Sequence, residues 1–303
     1  MPQWSRSGAA VALLVAVAQL PAAQAQTPPV ESRHVLVVDG TRRGYRLYSP
    51  ASQPPRPLPL VLVFHASGGR AAGMARHTGF TRVAEREGFL VVYPQGLDRR
   101  WNDGRGFGTA HDDVGFIRSL LDTLRREFRL DQRRIYATGI SNGAIFSFRL
   151  ACALPGVFAA IAPVAGAMPA DLASRCTRTM PLSVVAFQGT ADPLMEYAGG
   201  EVGRGGRVLS ADSSIGFWAE VAGCGKPPTT TLEPNLVPDD STRVRRTAFP
   251  DCANGRMVEL YSIVGGGHTW PGGPASGRRV GRVSRDVDAT ATIWQFFARH
   301  PKP

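Results

Sequence analysis

Along the 303-residue chain, short and nearly continuous apolar runs alternate with amphipathic segments. "LPLVLVFHA", "FLVVYPQG", "RRIYATG", "FAAIAPVAG", "LSVVAFQG" and "MVELYSIVGGG" read as strands buried on both faces, because a half-exposed strand would carry polar residues at alternate positions. Between them "DDVGFIRSLLDTLRREF", "SNGAIFSFRLAC", "SSIGFWAEVAG" and "DATATIWQFFARH" have helical periodicity. Buried strands joined by helices need cover on both sides, so the pattern predicts an α/β fold: a doubly wound, mostly parallel sheet with helices on both faces. "HVLVV" and "YRLYS" predict an opening hairpin, and the Pro-, Thr- and Gly-rich stretch 199–251 an excursion above the sheet. At 43% hydrophobic and 19% charged residues, a chain of this length buries about 75% of its unfolded surface in one core.

Residues 1–25 are expected to lie outside that domain. Arg6 supplies a positive start, "GAAVALLVAVA" an apolar run too short to span a bilayer, and "AQA" ending at Ala25 a small-residue cleavage signal. A mature domain over 26–303, free in the periplasm or the medium with no transmembrane segment, is the expectation. Cys152, Cys176, Cys224 and Cys252 are an even set for an oxidising compartment. Of the three connectivities, Cys152–Cys176 with Cys224–Cys252 closes the shortest loops. No C-x-x-C or H-x-x-x-H spacing supports zinc, so neither metal nor cofactor is expected.

The formal charge of +11 raises the question of nucleic acid. The basic residues are nearly all arginine, with Lys226 and Lys302 the exceptions, and they are dispersed along the chain. A compositional bias accounts for them better than a binding face, and no nucleic-acid partner is expected.

The turn Gly139-Ile140-Ser141-Asn142-Gly143 joins a predicted strand to a predicted helix. A G-x-S-x-G pattern in that context is a nucleophile elbow, which lifts the serine hydroxyl above the sheet. A serine at its free pKa is a poor nucleophile, so it needs a base, and the base an orienting acid. Of six histidines, His268 and His300 follow Ser141, and His300 sits at the end of the last helix. That leaves His268, in a glycine-rich loop after "LYSIV". Among the intervening acids Asp192 directly follows a convincing strand, whereas Asp171, Asp212, Asp239, Asp240 and Asp251 fall in loops or helix starts. An oxyanion would take the N–H of Asn142 at the helix start, and a second donor from His65-Ala66-Ser67-Gly68-Gly69, with Ser67 preferred and Ala66 the alternative.

Taken in order, "LVLVFHASGG", "WND", "DDVGFI", "IYATGISNGA", "FAAIAPVAG", "GTADPLMEYAGG" and "VGGGHTWPGG" resemble the secreted polyhydroxybutyrate depolymerase and feruloyl esterase family of α/β-hydrolases, over roughly residues 34–300. The resemblance implies a serine esterase with Ser141, Asp192 and His268 as its triad. The family usually has His-Gly where this chain has His65-Ala66, which leaves the second oxyanion donor open. Its polymer-degrading members append a linker and a binding module, whereas this chain stops at Pro303.

Other residues have competing readings. Trp270 is a candidate for lining an ester pocket or for plain packing. His65, Trp101 and Asn102 stand at strand ends, where ligand contacts concentrate. Asp112 and Asp113 precede an apolar helix and read as caps rather than paired catalytic acids. Three function classes follow: a secreted esterase acting on short-acyl, hydroxybutyrate-oligomer or feruloyl-type esters, a serine peptidase on the same fold, or a non-catalytic binding protein. The short connection from "VAG" to the strand before Asp192 predicts an open cleft without a helical lid.

Overall fold

The computed structural model describes Met1 and residues 30–51, 55–106, 110–178, 181–203, 205–274 and 277–303; apart from Met1, the expected leader lies outside them. The strands are β1 (Val30–Val38), β2 (Thr41–Ser49), β3 (Leu58–Phe64), β4 (Leu90–Pro94), β5 (Leu130–Ile140), β6 (Ala160–Val164), β7 (Ser183–Gly189), β8 (Gly200–Glu201), β9 (Arg207–Val208), β10 (Thr229–Leu232), β11 (Arg243–Phe249) and β12 (Val258–Val264). The helices are α1 (Ala71–Thr78), α2 (Phe80–Glu87), α3 (Asp113–Glu127), α4 (Asn142–Ala153), α5 (Ala170–Arg175), α6 (Ala211–Val221) and α7 (Ala289–Arg299).

Ten strands form one sheet in the order β1-β2-β4-β3-β5-β6-β7-β12-β11-β10. The segment β4-β3-β5-β6-β7-β12 is parallel, and antiparallel pairs close both edges. β3, β4, β6 and β7 are buried at every position, which is why their sequences show no alternation. Leu60, Leu62 and Phe64 of β3 pack with α3, α4 and α6 through Phe116, Phe146 and Trp218. Val61 and Val63, one residue out of phase, pack with α1, α2 and α7 through Met74, Phe80 and Phe297. Each such side chain stabilises the fold by about 1.5–3 kcal/mol.

Asp39 and Gly40, both at positive φ, turn the opening hairpin as an Asp-Gly pair does. Asp112 caps α3 by accepting from Gly115 N at 2.8 Å. Asp113 is fully buried and paired with Arg43. Both are spent on structure, as the capping reading anticipates.

The structure corrects the expectation for residues 199–251. Instead of a separate excursion, α6 packs under β7 and β12, and β11 and β10 extend the sheet. Their "RVRRTAF" and "TTTL" are Arg- and Thr-rich because β10 is exposed along its length and β11 only half buried. Among the described residues, Glu201, Val202, Gly203 and Gly205 of the short β8–β9 hairpin border the cleft that Ser141 lines. The disulfides are Cys152–Cys176, which ties the end of α4 to the segment after α5, and Cys224–Cys252, which ties the end of α6 to the segment after β11. Each closes a loop long enough to contribute about 3 kcal/mol on a chain-entropy estimate. Among the described residues no helix is long and apolar enough to cross a membrane.

Candidate active site

The winding of the sheet reverses at β3, since β4 lies on one side of it and β5 on the other. Ligands bind beyond the carboxyl ends of strands at such a switch point. The loops that leave β3 and β5 there carry His65-Ala66-Ser67 and Ser141.

Ser141 itself adopts the strained turn, at φ 59° and ψ −121°. A non-glycine residue in that region costs about 1–3 kcal/mol, compensated by the packing around it. The flanking glycines serve a different need, close approach. A Cβ on Gly143 would meet Phe64 O at 2.4 Å and His65 O at 2.7 Å, and one on Gly139 would meet Phe64 O at 2.7 Å. A Cβ on Gly166 would strike Ala144 Cβ at 2.6 Å. These glycines let α4 begin directly against the ends of β3 and β6. The first N–H of α4, on Asn142, has no acceptor within the helix.

Asp192 follows β7 and His268 follows β12, which are neighbours in the sheet. Gly265-Gly266-Gly267 brings the two loops together: Gly189 has no room for a Cβ beside Gly266 O and Gly267 O, each 2.4 Å away. Ala191 N donates to Gly266 O at 2.9 Å, and Gly265 N to Thr190 Oγ1 at 3.0 Å. Within this frame His268 Nδ1 lies 2.8 Å from Asp192 Oδ2. Asp192 is 5% exposed. Its Oδ1 accepts from the N–H groups of Leu194 and Met195, both at 2.8 Å, and its Oδ2 also from Gln188 Nε2 at 3.1 Å. With the carboxylate accepting throughout, the His268 proton sits on Nδ1 and the lone pair on Nε2. Neither Ser141 Oγ nor His268 Nε2 has a hydrogen-bond partner among the described residues.

His65 is buried, with both ring nitrogens committed to the fold. Nε2 accepts from Gly96 N at 3.0 Å and Gln95 Nε2 at 3.1 Å, so Nδ1 carries the proton it donates to Ala66 O at 2.8 Å. Burial pushes its pKa down, which keeps the ring neutral. Ala66 O also accepts from Gly69 N at 2.9 Å. That carbonyl is therefore turned into its own loop, and across the trans peptide the N–H of Ser67 points the opposite way. Ser67 is exposed and lines the same cleft as Ser141 and Asn142.

The residues expected to touch substrate are each hydrogen-bonded within the fold. Trp101 is 1% exposed, stacked on Phe146 at 4.9 Å, and donates Nε1–H to His65 O at 3.0 Å, so it forms a buried floor beneath the cleft. Asn102 is tied up below the site: its N–H donates to Asp113 Oδ2 at 2.7 Å, its side-chain amide to His111 O at 3.0 Å, and its Oδ1 accepts from Arg149. Trp270 is buried against Phe80 and donates to Thr290 Oγ1 at 2.9 Å, which favours packing over the pocket. His65, the fourth, ties the loops together and is among the residues lining the groove beside His268.

Ser141 lines a cleft of about 500 Å³ walled by Arg105, Asp103, Leu194, Glu196, Glu201 and Val202. A groove of about 460 Å³ runs past its neighbour Ile140 and past His268, Met74 and Val280. The sequence reading missed Gln188, Asp103, Arg105 and the β8–β9 hairpin, because no local pattern distinguishes these residues from an ordinary loop.

The family described as esterase PHB depolymerase matches residues 43–194. NocK, an esterase by name from Nocardia uniformis subsp. tsuyamanensis, is 31% identical over 96% of this chain and 97% of its own. Poly(3-hydroxyalkanoate) depolymerase C of Paucimonas lemoignei is 27% identical over 80% of this chain and 64% of that protein. Feruloyl esterase B of Piromyces equi is 29% identical over 69% of this chain, which spans 39% of that protein. Among solved structures, the acetyl xylan esterase from Aspergillus awamori superposes with a TM-score of 0.63 over 88% of this chain and 99% of its own at 16% identity, a likeness of fold. The fold is that of the α/β-hydrolases, and the chain belongs to the esterase PHB depolymerase family.

Proposed function

We propose that this esterase is a serine hydrolase that cleaves carboxylic esters through an acyl-enzyme at Ser141. The observation that carries the reading is the Asp192–His268 pair, 2.8 Å apart, beyond the same sheet edge that presents Ser141 on a strained elbow. Ser141 Oγ attacks the ester carbonyl as its proton passes to His268 Nε2, and Asp192 holds the ring and stabilises the imidazolium. The tetrahedral oxyanion takes hydrogen bonds from the N–H groups of Asn142 and Ser67. The intermediate collapses, the alcohol leaves with the proton from His268, and water repeats the sequence to release the acid. In a free enzyme the serine-histidine hydrogen bond is often long and tightens only with substrate.

The relatives' names, which include feruloyl esterases, acetylxylan esterases and a polyhydroxyalkanoate depolymerase, support hydroxycinnamoyl, short-acyl or hydroxyacyl-oligomer esters as the substrates. The two disulfides and the leader-like start support export and a mature chain from Gln26. A fluorophosphonate probe and para-nitrophenyl butyrate test the chemistry together. The probe should label Ser141, and Ser141→Ala should lose both the label and nearly all turnover. Turnover undiminished in Ser141→Ala would overturn the mechanism.

A further inference from the structure

Arg70 lines two hollows at once: the groove beside His268, and a second hollow of about 220 Å³ on the other side of its side chain. Arg33 of β1 and Arg46 of β2 line that second hollow with it. Arg33 and Arg46 are directly opposite each other in the strand register, an arrangement of like charges that destabilises a sheet. No acidic side chain is among the described residues that line the hollow. Arg46 is relieved by an ion pair with Glu31. Arg33 and Arg70 are exposed and have neither a hydrogen bond nor an ion pair among the described residues. Three guanidinium groups around one small hollow, two of them unpaired, suit a planar anion, because the guanidinium fork matches a carboxylate. The wall is also tied to the site. Ala71 N, next to Arg70, donates to Gln95 Oε1 at 2.9 Å, and Gln95 Nε2 lies 3.1 Å from His65 Nε2.

We propose that Arg70, Arg33 and Arg46 form an anion subsite for the leaving-alcohol arm, so that the enzyme selects esters whose alcohol carries a carboxylate. The inference rests on the serine-esterase reading and deepens it. The alcohol departs with a proton from His268 Nε2, so its arm extends along the groove that His268 lines with Met74, Ile140 and Val280. Arg70 is the one charged side chain, histidines apart, among the described residues of that groove. It stands where the groove meets the arginine hollow. A neutral arm leaves the three cations facing one another, whereas a carboxylate on the arm accepts from them. The recognised feature is a negative charge set away from the ester bond, and both a flexible hydroxy acid and a sugar acid present it.

The test measures kcat/KM for butyrate esters of straight-chain hydroxy acids, with hydroxyl and carboxylate at opposite ends of stems of varied length, against the matching hydroxy amides. The amide keeps the shape and removes the charge. At the stem length that spans the groove, wild-type protein should prefer the acid by about tenfold, chiefly through KM, as a charge-assisted bidentate contact allows. Arg70→Gln and Arg33→Gln, both at exposed positions, should each bring the ratio towards one. Arg126→Gln makes the same charge change in the last turn of α3 and should leave the ratio as it is. A second arm compares a butyrylated methyl glucuronoside with the butyrylated methyl glucoside. Acid preference in that arm alone assigns the subsite to sugar acids, and in the first arm alone to flexible hydroxy acids. Ratios near one in both arms overturn the proposal, as does an undiminished ratio in Arg70→Gln. A ratio that falls as far in Arg126→Gln as in Arg70→Gln would mean attraction by the net charge of the protein, which overturns it too. In each case turnover that is lost in Ser141→Ala leaves the esterase reading standing, whereas turnover that survives in Ser141→Ala overturns that reading instead.

Discussion

Gln188 donates its side-chain amide to Asp192 Oδ2 at 3.1 Å, the same oxygen that lies 2.8 Å from His268 Nδ1. The amide's other hydrogen goes to Met195 O at 2.8 Å, and Gln188 is 2% exposed. Turning the amide over would set its oxygen against two acceptors, so its orientation is determined even though Oε1 has no partner among the described residues. Gln188 thereby fixes both the carboxylate and the loop that supplies the carboxylate's backbone donors.

Gln188→Leu should lower kcat about tenfold with little change in KM. Losing one hydrogen bond to a charged group costs about 1.5–3 kcal/mol, and a loosened Asp192 orients His268 less well in the transition state than in the resting site. Steady-state kinetics on para-nitrophenyl butyrate would check it. A rise in KM at constant kcat would place Gln188 in ground-state binding instead.

Acid should weaken the fold before carboxylates begin to titrate. Burial lowers the pKa of His65, His77 and His300 below the ordinary value of 6.5. The unfolded chain takes up protons near 6.5 while the folded chain does not, so stability is intact above that value and declines as pH falls towards the folded pKa values. Urea midpoints should fall between pH 7.5 and 5.0. His65→Gln should flatten part of that slope, and an unchanged slope would show that His65 is not among its sources.

Gly143→Ala should harm both fold and turnover, because the added methyl meets Phe64 O at 2.4 Å. Overpacking of this kind costs about 1–3 kcal/mol, and the displaced start of α4 carries the Asn142 N–H with it. Thermal unfolding and kcat measured on the same sample should fall together. Full kcat would mean that the elbow tolerates the separation.

Exported protein should contain no free thiols, and non-reducing peptide mapping should recover Cys152 joined to Cys176 and Cys224 joined to Cys252. Replacing Cys152 and Cys176 together by Ser should lower stability by about 3 kcal/mol, read as a lower urea midpoint. A Cys152–Cys224 peptide would contradict the pairing.

What the sequence determined by itself was whatever local pattern encodes. Strands buried on both faces announce themselves as unbroken apolar runs, which sufficed for the parallel centre of the sheet. The G-x-S-x-G turn marked Ser141 as a candidate, elimination left His268, and its place directly after a strand singled out Asp192, the residue the fold brings within 2.8 Å of His268. Tertiary structure decided everything that depends on what lies above or beside a residue. β10 and β11 went unseen because a sheet edge facing water selects Thr and Arg, which read as loop. The sequence offered His65, Trp101 and Trp270 as ligand contacts, and only the fold reveals that the polar atoms of each are bonded internally. Asp103 gains its place from Asn142, 39 residues away, and Gln188 from an acid whose position beside His268 only the fold sets. Burial and hydrogen-bond saturation are properties of the assembled fold, and no local window of sequence contains them.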